Sequence, residues 1–102
     1  MSTAAIVETT VGELKVSGVI DFRSGPQLRK DGRQLIKASK AATLLIDCSA
    51  VEKSSSVGVS LLLAYMRDAA AAGKTLSICG LPADMRQIAE VSGLNVVLPI
   101  HA

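Results

Sequence analysis

Residues 42–72 read ATLLIDCSAVEKSSSVGVSLLLAYMRDAAAA. Two different periodicities meet in this stretch. Leu44, Leu45 and Ile46 form a short continuous apolar run, the signature of a strand covered on both faces. The spacing predicts a strand over residues 42–48. The second half has apolar residues at helical spacing and no charge from Ser54 through Met66. It predicts a helix over residues 54–72, capped by one of three serines and stopped by Gly73. A buried strand leading into an apolar helix is the unit from which α/β domains are built.

Working outward, the same alternation continues on both sides. Residues 4–8 lean towards strand, residues 9–12 signal a turn, and Leu14, Val16, Gly18 and Ile20 recur at period two. These two runs pair as a hairpin. Ser24, Gly25 and Pro26 read as a helix cap with proline in the first turn, and Leu28, Leu35 and Ile36 continue at helical spacing. Downstream, residues 74–79 predict another strand, Leu81-Pro82-Ala83-Asp84 opens a short helix through Val91 that Ser92 and Gly93 close, and residues 95–98 predict a last strand. The order β-β-α-β-α-β-α-β predicts an α/β fold with a mixed, mostly parallel sheet of about five strands and right-handed crossovers. At 102 residues with 49% apolar content, the chain is expected to be a single domain, 1–102.

Composition removes several function classes. Eleven basic and nine acidic residues leave a net charge of +2, with no polybasic footprint for nucleic acid or anionic lipid. Phe22 and Tyr65 are the whole aromatic supply, too few for base stacking. Cys48 and Cys79 lie in strand-like runs and read as buried free thiols, as in a reducing compartment. No basic, apolar leader precedes residue 9, and the longest greasy stretch, residues 57–66, is half of what a spanning helix needs. A soluble cytoplasmic protein is expected.

Catalytic patterns are missing too. The one histidine, His101, sits beside the last residue. The run from Ser54 to Gly58 echoes a nucleophile elbow but lacks its first glycine. Neither phosphate-binding glycine pattern is present, and no metal-ligand cluster is visible. We therefore expect no catalytic residues, no metal, no cofactor and no ATP binding. Asp21 and Asp47 close strand-like runs, where sites on parallel sheets gather, but turn caps account for them more simply.

The apolar helix is the informative element. Ser54, Val57, Gly58, Leu61 and Tyr65 share one face, while Val59, Leu62, Leu63 and Met66 occupy the other side. The second set is richer and is expected to meet the sheet. Val57, Leu61 and Tyr65 then face outward beside Gly58 as a docking surface. In the competing arrangement neighbouring loops or another helix cover both stripes.

Three segments in order resemble one family. Val16-Ser17-Gly18-Val19-Ile20-Asp21, then Ile46-Asp47-Cys48-Ser49-Ala50-Val51, then Lys53-Ser54-Ser55-Ser56-Val57-Gly58 are similar to the successive signatures of STAS domains, the sulfate-transporter and anti-sigma-factor-antagonist fold. The third stands in the place of that family's Asp-Ser-Ser-Gly-x-Gly loop. Within the family, the ending Gly93-Leu94-Asn95-Val96-Val97-Leu98-Pro99 is similar to the MlaB group. That resemblance implies a non-enzymatic subunit that binds and stabilises or activates an MlaF-like ATPase subunit of a bacterial phospholipid ABC transporter. It implies a cytoplasmic place, peripheral at the inner membrane, with no membrane insertion and no nucleic acid. The implied partner-binding residues are Ser54, Ser55, Val57, Gly58, Leu61 and Tyr65. The alternative implied by the family is an anti-sigma-factor antagonist, switched by phosphorylation of Ser54 and partnered by an anti-sigma factor. Lys53 in place of aspartate and Ser56 in place of glycine depart from the antagonist loop.

Overall fold

The structure, a computed structural model, describes residues 4–100. Strands β1 (Ala5–Thr10) and β2 (Glu13–Ile20) form the anticipated antiparallel hairpin. Helix α1 (Gly25–Ala38) follows, then β3 (Thr43–Ser54), α2 (Ser56–Ala71), β4 (Thr75–Cys79), α3 (Ala83–Val91) and a 3-10 turn at Leu94–Val96. The sheet order is β1-β2-β3-β4, with β2–β3 and β3–β4 parallel.

One face of the sheet is the core. Leu14, Val16, Ile20, Leu44, Ile46, Cys48 and Ile78 are buried there, together with Val59 and Leu62 of α2. The other face carries Lys15, Ser17, Leu45, Asp47 and Ser77, all exposed or half-buried. The strand at residues 44–46 is thus covered on one side only, contrary to the reading of its continuous apolar run. Leu45 pairs with Ser77 on the open face.

Three boundaries also differ from expectation. β3 extends six residues past Cys48, because register shifts between Lys15 and Ser17 and between Gly18 and Val19 let β2 stay paired up to Ser54. The helix therefore begins at Ser56. The last segment is not a strand over residues 95–98: Gly93 takes a left-handed φ of 72° and the chain coils, with the Val97 amide donating to the Leu94 carbonyl. Strand-like contact resumes only at Ile100, which bridges Ile78 in parallel. The sheet has four strands plus this bridge.

α1 lies over α2. The Tyr65 phenol, with no exposed surface, donates to the Leu28 carbonyl of α1. Gly32 makes the approach possible, since a Cβ there would stand 2.3 Å from the Tyr65 ring. Lys74 donates its ammonium to the Ile36 and Ser39 carbonyls at the end of α1, where a cation offsets the helix dipole.

Candidate functional site

Two loops meet at the C-terminal edge of the parallel strands β2 and β3, the edge where sites on such sheets gather. The first joins β2 to α1. Asp21 accepts the Arg23 and Ser24 amides, and the Ser24 hydroxyl donates to the Val19 carbonyl. The second joins β3 to α2. The Ser55 amide donates to the Ile20 carbonyl and so ties the two loops together.

Each serine of the second loop does something different. Ser54 is 7% exposed, and its hydroxyl donates to the Ser55 carbonyl at 2.8 Å. Its amide donates to the Asp84 carboxylate at 2.8 Å, so the start of α3 latches the loop. The Ser54 hydroxyl lies directly over Gly58: a Cβ at residue 58 would stand 2.0 Å from that oxygen. Ser55 is the cap of α2, accepting the Val57 amide at 3.2 Å, as its β-region backbone and short side chain allow. Ser56 is exposed on the first turn.

The outward stripe is corrected here. Leu61 is 4% exposed and Tyr65 not at all, because α1 covers them; only Val57 remains half-open. The competing arrangement, with a second helix over the second stripe, is the one that holds. It follows from Gly32, which gives α1 the close approach that an ordinary side chain would block.

What stays open is the mouth of the α1–α2 seam. A shallow groove of about 300 Å³ is lined by Phe22, Pro26 and Arg29 on one side and Val57, Ser60 and Ala64 on the other, with an edge of Leu61 at its floor. Phe22 is 74% exposed, and the Arg23 guanidinium stands 5.6 Å from its ring centroid. A second concavity, about 430 Å³, runs along α3 past Asp84, Ile88 and the exposed Val91. The Ser54–Asp84 hydrogen bond joins the two regions. Sequence reasoning missed Phe22 and Val91. The available signal for Phe22 was an aromatic inside a polar turn, Asp21-Phe22-Arg23-Ser24, where nothing nearby could bury it.

Asp47 accepts the Ser49 amide at 2.9 Å, and this bond, with help from the Ser49 side chain, holds its carboxyl below the usual range. Asp21 and Asp47 are both turn caps. Burial pushes the Cys48 thiol up to about 12, and the neighbouring Asp47 adds to the shift. No group of three or more metal-ligating side chains occurs among the described residues. His101 lies outside them. None of the described helices is long and apolar enough to cross a membrane.

A family model described as "Mlab, STAS domain" matches residues 7–99. The chain belongs to the STAS domain family. Solved STAS structures agree with this fold. An anti-sigma factor antagonist from Mycobacterium paratuberculosis is 26% identical, with a TM-score of 0.78 over 97% of this chain and 84% of that one. A chain of the Acinetobacter MlaFEDB complex, in an ATP-bound conformation, is also 26% identical, with a TM-score of 0.73 over 87% of this chain and 93% of that one. Unphosphorylated SpoIIAA, an anti-sigma factor antagonist, shares the fold at 19% identity and a TM-score of 0.73, over 98% and 89% of the two chains. No curated protein matches the chain.

Proposed function

We propose that this STAS domain is a non-enzymatic subunit that binds and stabilises or activates the MlaF-like ATPase subunit of a bacterial ABC transporter for phospholipids. It would act in the cytoplasm, held at the inner membrane through that complex, in a system that maintains outer-membrane lipid asymmetry. The docking surface is the mouth of the α1–α2 seam: Phe22, Val57, Ser60 and Ala64, with Ser55 and Ser56 at its rim. Gly58 and Ser54 shape the loop from beneath, and Tyr65 fixes α1 at the proper distance.

The observation that carries this reading is the state of Ser54. A switch serine must offer its hydroxyl to a kinase. Here the hydroxyl at that position is buried, committed to the Ser55 carbonyl and packed over Gly58. Lys53 beside it replaces the family's acidic residue. Such a loop suits a permanent contact better than a phosphorylation cycle, and the family model points the same way.

The test is co-expression with the transporter's ATPase subunit. The wild-type chain should co-purify with it and raise its ATP turnover. Phe22→Ser should lose the complex and keep its fold. Co-purification undiminished by Phe22→Ser, or no complex with the wild type, overturns the proposal.

The mycobacterial likeness, equal in identity to the transporter one, favours a second reading as an anti-sigma-factor antagonist. That reading requires phosphate on Ser54, or on the exposed cap Ser55, in a fraction that varies with growth phase. Intact-mass measurement of the native protein decides between them.

A further inference from the structure

The net charge of +2 conceals a strong separation. Residues 23–40 hold six of the eleven basic side chains (Arg23, Arg29, Lys30, Arg33, Lys37 and Lys40) and only one of the nine acidic ones, Asp31. That segment carries +5, and the rest of the chain carries −3. The expectation that no polybasic footprint exists averaged these two regions together.

The fold gathers the charge on one ridge. Leu28, Gly32 and Ile36 turn the inner face of α1 to the core. Lys30, Arg33, Gln34 and Lys37 are exposed and, with Pro26 and Arg29, line a shallow concavity of about 530 Å³ along the helix. Arg29 is paired with Asp68 of α2, the one ion pair among the described residues. Asp31 is turned to Gln27, which donates to it at 2.8 Å. Lys30, Arg33 and Lys37 thus have no acidic partner among the described residues. An ordinary solvated helix interleaves its signs at i,i+4 spacing; this one does not.

We propose that the outer ridge of α1, which adjoins the α1–α2 docking groove at Pro26 and Arg29, is an adsorption surface for anionic lipid headgroups. The chemistry favours a lipid plane over a protein. A protein interface draws its affinity from desolvated aromatic and apolar anchors, and this face offers none beyond Pro26: Lys30, Arg33 and Lys37 are long, flexible and exposed. A charged bilayer attracts hydrated cations without desolvating them, each contributing about fivefold in affinity. The −3 on the rest of the molecule is repelled by the same surface, so the charge separation also orients the molecule with α1 towards the membrane. This adsorption involves no insertion and does not depend on the transporter reading.

Sedimentation of the full chain with vesicles tests it. Vesicles of phosphatidylcholine with about 30% phosphatidylglycerol should bind the chain at about 50 mM salt and release it by about 500 mM, where the screening length falls to a few ångströms. Pure phosphatidylcholine vesicles should not bind it. The double variant Arg33→Glu with Lys37→Glu should bind at least about twentyfold more weakly. Lys15→Glu with Arg86→Glu makes the same net-charge change on other surfaces and should retain most of the binding. Circular dichroism establishes that both variants are folded. No binding to anionic vesicles at low salt overturns the proposal and leaves the ridge to an acidic protein surface. Equal losses from the two double variants also overturn it, since net charge and not the ridge would then be responsible.

Discussion

The two ends of the α1–α2 seam are made from one helical stripe and behave as opposites. At the closed end, Leu61 and Tyr65 lie beneath α1, with the phenol bonded to the Leu28 carbonyl and the ring against Gly32. At the open end, Val57, Ser60 and Ala64 look into a groove whose far wall includes the exposed Phe22. The open part differs in its own side chains, the small Ser60 and Ala64 against the large Leu61 and Tyr65. The partner helix adds to the difference. α1 starts at Gly25, after a turn fixed by Asp21 and Ser24, and meets the first turn of α2 only through this glycine, close against Val57. A helix's apolar pattern marks which positions need cover; the neighbouring element decides which receive it.

Substitutions at the closed end should be the most damaging. Leu61→Asp places a carboxylate without a partner in the seam and should cost about 3–5 kcal/mol, read as loss of the folded baseline in urea. A variant that stays folded would place Leu61 in solvent and break the comparison. Tyr65→Ala should cost about as much, since it empties the largest fully buried side chain of the core and leaves the Leu28 carbonyl without its donor.

The turn between the two ends gives an intermediate effect. Gly58→Ala drives a methyl into the Ser54 hydroxyl and should destabilise the chain by about 1–3 kcal/mol. Adding Ser54→Gly should recover most of that loss. An additive double mutant would show that the strain lies elsewhere, at Met85, whose terminal methyl is the next contact.

At the open end, Ser60→Asp should change stability by no more than about 0.5 kcal/mol while abolishing partner binding, the reverse of the closed-end pattern. A loss of stability as large as that of Leu61→Asp would erase the distinction between the ends.

The smallest effect belongs to the sheet's open face. The Asp47 carboxyl titrates below its ordinary 3.8 because the Ser49 amide bonds its charged form. The stabilisation is fully present above that ordinary value and is lost as pH falls through the lowered one. Asp47→Asn should therefore flatten the acid end of the stability profile by lowering its neutral part slightly, while stability below the lowered value stays nearly unchanged. Melting temperatures between pH 2 and pH 5 provide the check.

Much of this arrangement was readable before the structure. The hairpin, the three helices and the strands beginning near residues 43 and 75 follow from period-two and helical spacing alone. Spacing does not report cover, however. Leu45 looks buried because its neighbours are, yet it lies on the open face beside Ser77. The stripe of Leu61 and Tyr65 looked surplus because the packing that hides it depends on Gly32, 33 residues away from Tyr65 in the chain. The three serines span the junction of β3 and α2, where the helix cap was expected. Which of them is the cap and which is buried was decided by the Ile20 carbonyl and the Asp84 carboxylate, groups that no local reading of the loop includes.

The sheet order, finally, bears on how the chain comes to be folded. Every strand lies beside the one made just before it, and no later segment must be inserted between two earlier ones. As synthesis proceeds from the N-terminus, the hairpin closes first by short-range pairing. Each following helix and strand is then laid onto an existing edge. Loop closure at each step spans only one helix, so the entropy lost before contact is kept small. The exposed border of the nascent sheet passes from β2 to β3 to β4 as each arrives, and the bridge from Ile100 to Ile78 comes last.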